Sequence, residues 1–270
     1  MDIPFTRWYS IVQSRRSRRY FDPKRPLDAT SLAALNRVCR EFTPFPHARA
    51  YLVNEPAIDI FKGIIGSYGK ASGAPAFIAF IGDMREPSVQ EEVGYTGEGI
   101  ILEATALGLN TCWVAGFFRP ERVNSIVEIK DYERVVAVTP VGYAREFKSI
   151  VERLMTGFGL THKRLPLSKL ISGWHVDDSL PEWAKVSLEA ARIAPSAVNR
   201  QPWEFEVDAT GITVLVRTRG PEFNVSKRLD CGIAMLHIEV ASRNYGIQGE
   251  WELLKAPRVG RFILTNTEGS

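Results

Sequence analysis

One stretch of this 270-residue chain recurs later at a fixed separation, and this repeat limits the possible folds more than any other feature. Six residues match at a separation of 138 positions, as between Gly108 and Gly246. The other pairs are Gly94 and Gly232, Ile100 and Ile238, Leu102 and Val240, Leu109 and Ile247, and Trp113 and Trp251. Two related units in one chain predict an internal pseudo-dimer with a site between the copies. Because no low-complexity linker separates the units, we expect them to share an interface.

The repeat falls on two long predicted helices. Helical spacing of apolar residues predicts the first from Ser88 to Leu107, and a last helix from Asp230 to Tyr245. The first contains Gly94, Gly97 and Gly99. Each costs roughly 1 kcal/mol relative to alanine, so close approach by another backbone or a ligand is one explanation for them. The alternative is a weak or broken helix.

Hydrophobic periodicity predicts the remaining elements of an α+β chain. Helices are predicted from Phe5 to Val12, from Asp28 as N-cap to Phe42, and after the capping-box pair Ser179 and Glu182 up to Pro195. Short apolar runs predict strands at 48–53, 76–81, 111–114, 135–141, 203–207, 212–216 and 262–264.

Composition excludes several classes of protein. Apolar residues make up 45% of the chain and charged residues 24%, which is typical of globular domains. The net charge of +3 is too small to indicate a polyanionic partner by itself. Three cysteines without C-x-x-C spacing argue against a disulfide framework or zinc site, so a reducing cytoplasm is expected. We find no signal peptide and no membrane span, and scattered histidines make a metal site improbable.

The sharpest local motif is the basic run from Ser14 to Phe21. If the segment is extended, Arg15, Ser17 and Arg19 point to the same side and could chelate a phosphate. The alternative is a solvated basic patch or a nucleic-acid-binding arm. Asp22 follows the run and no aromatic ladder accompanies it, which disfavours nucleic acid.

Three further segments could contribute to a site. The basic group His162-Lys163-Arg164 is either a surface turn or a second side of the phosphate site. The turn-rich loop from Ala194 to Trp203 offers serine and asparagine side chains to a planar polar ligand, or else to its own backbone. In the stretch from Cys112 to Phe117, Gly116 could bring a backbone N–H close to a bound ring.

The usual catalytic motifs are missing from the sequence. It contains no H-E-x-x-H, G-x-S-x-G, Walker A or G-x-G-x-x-G pattern. A site that recognises phosphate and amide groups without an evident acid, base or nucleophile indicates that a cofactor carries the chemistry.

Together these segments resemble the FMN-dependent nitroreductase family over roughly residues 8 to 260. Arg15-Arg16-Ser17-x-Arg19-x-Phe21 resembles the N-terminal R-R-S-x-R-x-F motif of that family. The loop from Ala194 to Trp203 is similar to its A-P-S-x-x-N-x-Q-P-W motif. The segment from Glu103 to Trp113 resembles its central helix and following strand, and Val138 to Gly142 with Lys163 to Pro166 resembles its P-V-G strand and basic phosphate motif.

The order of the motifs departs from the family. In ordinary members the A-P-S motif follows the R-R-S motif within about forty residues, but Cys39 to Val53 lacks it here. The resemblance therefore implies two fused, unequal units with a three-layer α/β/α nitroreductase-like fold that mimic a dimer, as in nitroreductases of thermophilic bacteria. We place the units at 1–165 and 166–270, and expect a monomer to be sufficient.

The resemblance also implies the cofactor and the function. One FMN per chain is expected, since Leu170 to Trp174 and Glu252 to Leu254 lack the motifs for a second site. The implied activity is hydride transfer from NAD(P)H to flavin, then two-electron reduction of a nitroaromatic, quinone or similar acceptor. A flavin-binding or ligand-sensing protein without turnover is the alternative, and a nucleic-acid module a distant third. The backbone of Ala115 and Gly116 is expected near flavin N5. The full set of expected cofactor-binding residues is Arg15, Arg16, Ser17, Arg19, Ala115, Gly116, Lys163, Arg164, Pro195, Ser196 and Asn199.

Overall fold

The computed structural model describes residues 1–61, 71–145, 163–172, 180–217 and 224–265, which form α-helices and two β-sheets. The helices are α1 (Phe5–Val12), α2 (Ala29–Glu41), α3 (Val89–Ala106), α4 (Pro120–Asn124), α5 (Glu182–Arg192) and α6 (Lys227–Asn244). The strands are β1 (Ala48–Val53), β2 (Ala76–Asp83), β3 (Asn110–Thr111), β4 (Glu133–Gly142), β5 (Ile171–Ser172), β6 (Trp203–Asp208), β7 (Gly211–Val216), β8 (Gly249–Leu253) and β9 (Arg258–Leu264). No helix in these ranges is long and apolar enough to span a membrane.

The two sheets repeat one strand order. The first has the order β1-β2-β4-β3, and all its pairings are antiparallel. The second has the order β5-β6-β7-β9-β8, so it reproduces the first once β5 is set aside. Strand β5 adds to the edge as a parallel partner of β6. The repeat in the sequence therefore corresponds to a repeat in topology.

The first sheet is covered on both faces, and β2 shows how the sequence achieves this. Side chains alternate between the two faces of a strand. Ile78 and Phe80 belong to the main core with α3, whereas Phe77 and Ile81 pack in a second apolar cluster with Val123 of α4. Helix, sheet and helix thus form the three layers expected for this half.

The second sheet has one buried and one charged face. Trp203 and Phe205 are buried in the core, and Glu206 and Asp208 alternate with them on β6. These two carboxylates pair with Arg258 and Arg261 of β9 at 3.1 and 2.7 Å. Within the described residues, the second half is therefore the thinner of two unequal units.

Helices α3 and α6 cross at two glycines. A Cβ built on Gly94 would lie 2.1 Å from the carbonyl oxygen of Leu229, and one on Gly232 would lie 2.0 Å from that of Glu91. The two contacts are related by the 138-residue separation, so each helix presents the same site to the other, as a twofold axis requires. The expected close approach is confirmed for Gly94, and the group that approaches it is the backbone of α6 at Leu229.

Most predicted elements are present, including the Asp28 cap, whose side chain accepts a hydrogen bond from Ser31 N at 2.8 Å. The strand predicted at 111–114 is interrupted at Cys112, whose N donates to the side-chain oxygen of Thr139 at 3.1 Å instead of joining the backbone ladder. Val114 pairs with β4 again, through two backbone hydrogen bonds of 2.9 Å with Val138. Helix α6 begins three residues earlier than predicted, where Ser226 caps it. Strand β8 was not predicted, and Ser179 and His162 lie outside the described residues.

Candidate functional site

The basic run lies extended beside β3. Ser17 forms a bridge with Thr111, and Arg18 N donates to the carbonyl oxygen of Thr111 at 2.8 Å. Arg15 is buried, with 6% of its surface exposed, Ser17 is exposed and Arg19 is half-buried. Exposure therefore does not follow the predicted alternation, because isolated bridges do not impose the regular twist and pleat of a strand.

Three arginines lie close enough to Arg164 for their charges to act on it, and we call the four residues the guanidinium cluster: Arg15, Arg16, Arg164 and Arg192. Burial lowers the pKa of Arg164, and the positive charges of Arg15, Arg192 and Arg16 lower it further, to about 10. Like charges are held at such range only where surrounding contacts or an anion compensate them.

Protein contacts compensate the cluster only in part. Arg192 pairs with Glu189 at 2.6 Å, and Arg16 Nη1 donates to the carbonyl oxygen of Arg15 at 2.7 Å. Arg15 has a carboxylate within reach, Glu98, but its Nε is 3.7 Å from the nearer oxygen. The buried Nη1 of Arg15 has no hydrogen-bond partner among the described residues. An unpartnered buried donor within a group of cations fits an oxyanion such as a phosphate.

The loop from Ala194 to Trp203 is strained and firmly held. Val198, Asn199 and Gln201 have φ values of 47°, 57° and 47°, a region that non-glycine residues rarely adopt. Ser196 Oγ accepts a hydrogen bond from Gln201 N at 3.0 Å. Strain of this kind persists only where neighbouring contacts determine the backbone, and it concentrates at functional sites.

The same loop fastens the second basic group to the site. Asn199 Oδ1 accepts from Arg164, whose Nη2 also donates to the carbonyl oxygen of Ile193 at 2.9 Å. Asn199 Nδ2 and Gln201 Nε2 donate to the carbonyl oxygen of Lys163 at 3.0 and 3.1 Å. Lys163 is itself exposed and Pro195 is buried. The structure thus brings Lys163, Arg164 and the loop together, as expected.

The loop from Ala194 to Trp203 is held by a buried acid, Asp230. Asp230, in the first turn of α6, accepts from Ala197 N at 3.1 Å and from Arg200 Nε at 2.7 Å. Burial raises its pKa to about 6, although Arg200 and Ala197 N act in the opposite direction. Glu92 occupies the equivalent position of α3 and accepts from His47 N at 3.3 Å. The first half thus has an acid that binds the loop between α2 and β1, but that loop contains no serine or asparagine.

Ala115 lies at a cleft between the two halves, and Gly116 follows it in the chain. Ala115 is half-buried and Gly116 exposed. Ala115 and Val136 line one wall of a cleft of about 390 Å³, and Ser226 and Leu229 of the second half line the other. The carbonyl oxygen of Ser226 accepts from Arg200 Nη2 at 2.8 Å, which ties this wall to the strained loop.

Sequence reasoning missed the buried polar residues behind the cluster. Glu98 and His237 are fully buried, and Trp113 Nε1 donates to Glu98 Oε2 at 2.7 Å. Asp230 and Gln201 were also not expected to shape the site. An acid inside a helix whose neighbours are nearly all apolar was the available signal for Glu98. No group of histidine, cysteine, aspartate or glutamate suited to a metal ion occurs in the described ranges.

Comparison with known proteins identifies the family. A family model described as "Putative TM nitroreductase" matches residues 8–242. The crystal structure of a protein from Thermotoga maritima, described as a putative nitroreductase, is similar with a TM-score of 0.65 and 19% identity, covering 95% of this chain and 93% of that one. A nitroreductase with bound FMN from Bacteroides fragilis matches at a TM-score of 0.42 and 17% identity, over 53% of this chain and 91% of that one.

A nitroreductase family protein from Clostridium novyi matches over 54% of this chain and 87% of its own, at 20% identity and a TM-score of 0.43. No curated protein matches the chain. Since the family model spans well over half of the residues, the chain belongs to the nitroreductase family that this model describes.

Proposed function

We propose that this protein is an FMN-dependent oxidoreductase that takes a hydride from NAD(P)H and passes two electrons to a nitroaromatic, quinone or similar acceptor. The observation that carries the proposal is the guanidinium cluster with the unpartnered Nη1 of Arg15. A cluster of partly buried cations without enough counter-charge matches a phosphate monoester. Family membership supports a flavin as the group that bears it.

We assign each part of FMN to residues that could bind it. Arg15 and Arg164 would bind the phosphate, with Ser17 and Arg19 toward the ribityl chain. The strained loop would orient the cofactor from the second half through Ser196 and Asn199. Bound FMN would supply the hydride chemistry, which side chains cannot perform by themselves.

The chain's own groups near the ring would bind and orient rather than react. Ala115 lines the cleft between the halves, and the backbone N–H groups of Ala115 and Gly116 would donate hydrogen bonds to a ring placed there. Since both halves contribute to the site, we propose one FMN per chain and a functional monomer.

Binding of the phosphate can be tested separately from binding of the ring. We expect the purified protein to bind one FMN per chain, and to bind FMN more tightly than riboflavin, which lacks the phosphate. Arg15→Ala and Arg164→Ala should each weaken FMN binding about tenfold to a hundredfold, because hydrogen bonds to charged groups contribute about 1.5–3 kcal/mol. Both should leave riboflavin binding nearly unchanged. Arg37→Ala is the matched control, since among the described residues Arg37 pairs with Glu41 on the exposed face of α2.

Turnover is tested by rapid mixing of the flavin-loaded protein with NADH and with NADPH. The proposal predicts bleaching of the flavin absorbance, and recovery when a quinone or nitroaromatic compound is added. Bound flavin that stays oxidised with both donors would exclude the reductase activity and support a ligand-binding role. Failure to bind FMN at all would exclude both.

A further inference from the structure

A buried polar network connects the guanidinium cluster to the opposite half of the molecule. Glu98 of α3 and His237 of α6 are both fully buried. Glu98 Oε1 is 2.9 Å from His237 Nε2, and its Oε2 accepts from Trp113 Nε1 at 2.7 Å. On the far side of the ring, His237 Nδ1 is 2.9 Å from the carbonyl oxygen of Ala190 in α5.

The partners of His237 determine its hydrogen-bond roles. A carbonyl oxygen can only accept, so Nδ1 donates to Ala190. Glu98 Oε2 accepts from Trp113 Nε1, and its Oε1 faces His237 Nε2. One proton is shared in the hydrogen bond between Nε2 and Oε1, so the ring of His237 is held at both nitrogens.

The distances show which group Glu98 is bound to. Its Oε1 lies 2.9 Å from His237 Nε2 but 3.7 Å from Arg15 Nε, which is beyond hydrogen-bond range. Two short bonds, from His237 and Trp113, thus satisfy the carboxylate. Arg15 keeps the favourable charge of Glu98 nearby while its Nη1 stays without a protein partner.

We propose that His237 is a positioning residue for the cofactor phosphate, acting through Glu98 on Arg15. This inference rests on the proposed FMN site. Without a hydrogen-bond partner at the position of Nε2, the buried carboxyl group of Glu98 would be under-bonded, which is costly. Its nearest remaining cation is Arg15, so Glu98 would close on Arg15 and draw the guanidinium away from the phosphate.

Two substitutions separate this role from simple packing. In His237→Gln the amide nitrogen can take the place of Nε2 and still donate to Glu98. In His237→Asn it can take the place of Nδ1 and donate only to Ala190. We expect H237Q to bind FMN within about threefold of the wild type and H237N to bind about tenfold or more weakly, because the hydrogen bond to Glu98 is lost.

The assay is FMN titration by quenching of flavin fluorescence, with urea unfolding measured on each variant. The control is Ser242→Ala, on the same helix as His237. It removes the buried hydrogen bond of 2.8 Å between Ser242 and Ser187 of α5, and it leaves Glu98 untouched. S242A should lose stability without losing FMN affinity. Equal FMN binding by H237Q and H237N, or losses that follow stability alone, would overturn the proposal.

A second variant covers the case in which H237N does not fold. Trp113→Phe removes the other donor to Glu98 and keeps an aromatic ring against Phe80, whose centroid is 4.7 Å away. W113F should also weaken FMN binding several-fold, and unchanged affinity would refute the idea that donors to Glu98 set Arg15. Wild-type protein that binds no FMN in the same titration would instead refute the proposed function.

Discussion

Replacing Gly232 by alanine tests the crossing of α3 and α6, on which the arrangement of the two halves depends. The new Cβ would lie 2.0 Å from the carbonyl oxygen of Glu91, and 2.7 and 2.8 Å from two further backbone atoms of that residue. No side chain can rotate to relieve these contacts. Ordinary van der Waals contact begins at 3.4 Å, so the helices must separate by about 1.4 Å at this point.

The expected magnitude is the difference of two opposing effects. Alanine is favoured over glycine by about 1 kcal/mol inside a helix. Overpacking a closely fitted interior costs about 1–3 kcal/mol, and the backbone origin of the clash places Gly232→Ala at the upper end. The free energy of unfolding should therefore fall by about 2 kcal/mol, measured by urea denaturation with circular dichroism.

The reciprocal contact, between Gly94 and Leu229, leads to a second prediction. Gly94→Ala creates the same clash against Leu229, at 2.1 Å. Once one substitution has separated the helices, the other meets less resistance, so the double variant should lose less stability than the sum of the two single losses.

Gly246→Ala is the control, since Gly246 has a φ of 88° but no atom within 4 Å of its Cβ position. It should cost about 1–2 kcal/mol through backbone strain and add independently to either single variant. A G232A protein as stable as the wild type, or strict additivity with G94A, would refute the reasoning.

Three further predictions follow from individual contacts. The pKa of Asp230 is raised in the folded state to about 6, so its contribution to stability is present below the unfolded value of 3.8 and is lost as pH rises through 6. Wild type should therefore lose about 2–3 kcal/mol relative to Asp230→Asn between pH 3.5 and 7.5, and parallel pH profiles would contradict this. Asp28→Ala should cost about 1 kcal/mol in urea unfolding by removing the cap of α2, and Asp28→Asn should restore most of it. Gln201→Ala should cost about 1–3 kcal/mol, because Leu165 N loses its acceptor at 2.8 Å; an unchanged melting temperature would show that water replaces it.

The long helices and most strands could be predicted because their signals are local. The spacing of apolar residues predicts helix α3, and the repeat shows that Gly94 has a counterpart in the second half. Strand β8 was not predicted, although its sequence Gly-Glu-Trp-Glu-Leu alternates exposed glutamates with less exposed residues, the period-2 pattern of a half-buried strand. The strand predicted at 111–114 is interrupted at Cys112 because a side-chain oxygen, that of Thr139, takes the place of a backbone acceptor. Periodicity cannot detect such a substitution.

The site was predictable to the extent that it consists of motifs. The sequence indicated Arg15, Arg164 and the loop to Trp203 as parts of one site, and they are brought together. It could not indicate that Glu98 and His237 meet, since each residue lies on a different helix and their pairing depends on the crossing geometry. Nor could it indicate that the side chain of Asn199 would hold the connector through Lys163 and Arg164.

The two halves have diverged in complementary ways, and this supports a single site. Both halves have an acid in the first turn of the long helix that binds the loop before the first long strand. It is Glu92, bound to His47 before β1, in one half, and Asp230, bound to Ala197 before β6, in the other. Only the second half carries serine and asparagine in that loop. Between its last two strands, the first half has α4 and the stretch with Ala115, whereas the second has only the short connection from Leu253 to Arg258.

Each half therefore retains what the other has lost. A homodimer must keep every element in each subunit, because one gene encodes both sides of both sites. A fused chain is free of that constraint, and a single complete site needs one arginine run and one loop. The run contributes Arg15, whose charge acts on Arg164, and the loop contributes Asn199, which accepts a hydrogen bond from Arg164. The guanidinium cluster lies where these retained elements meet, as expected if one phosphate per chain has maintained them.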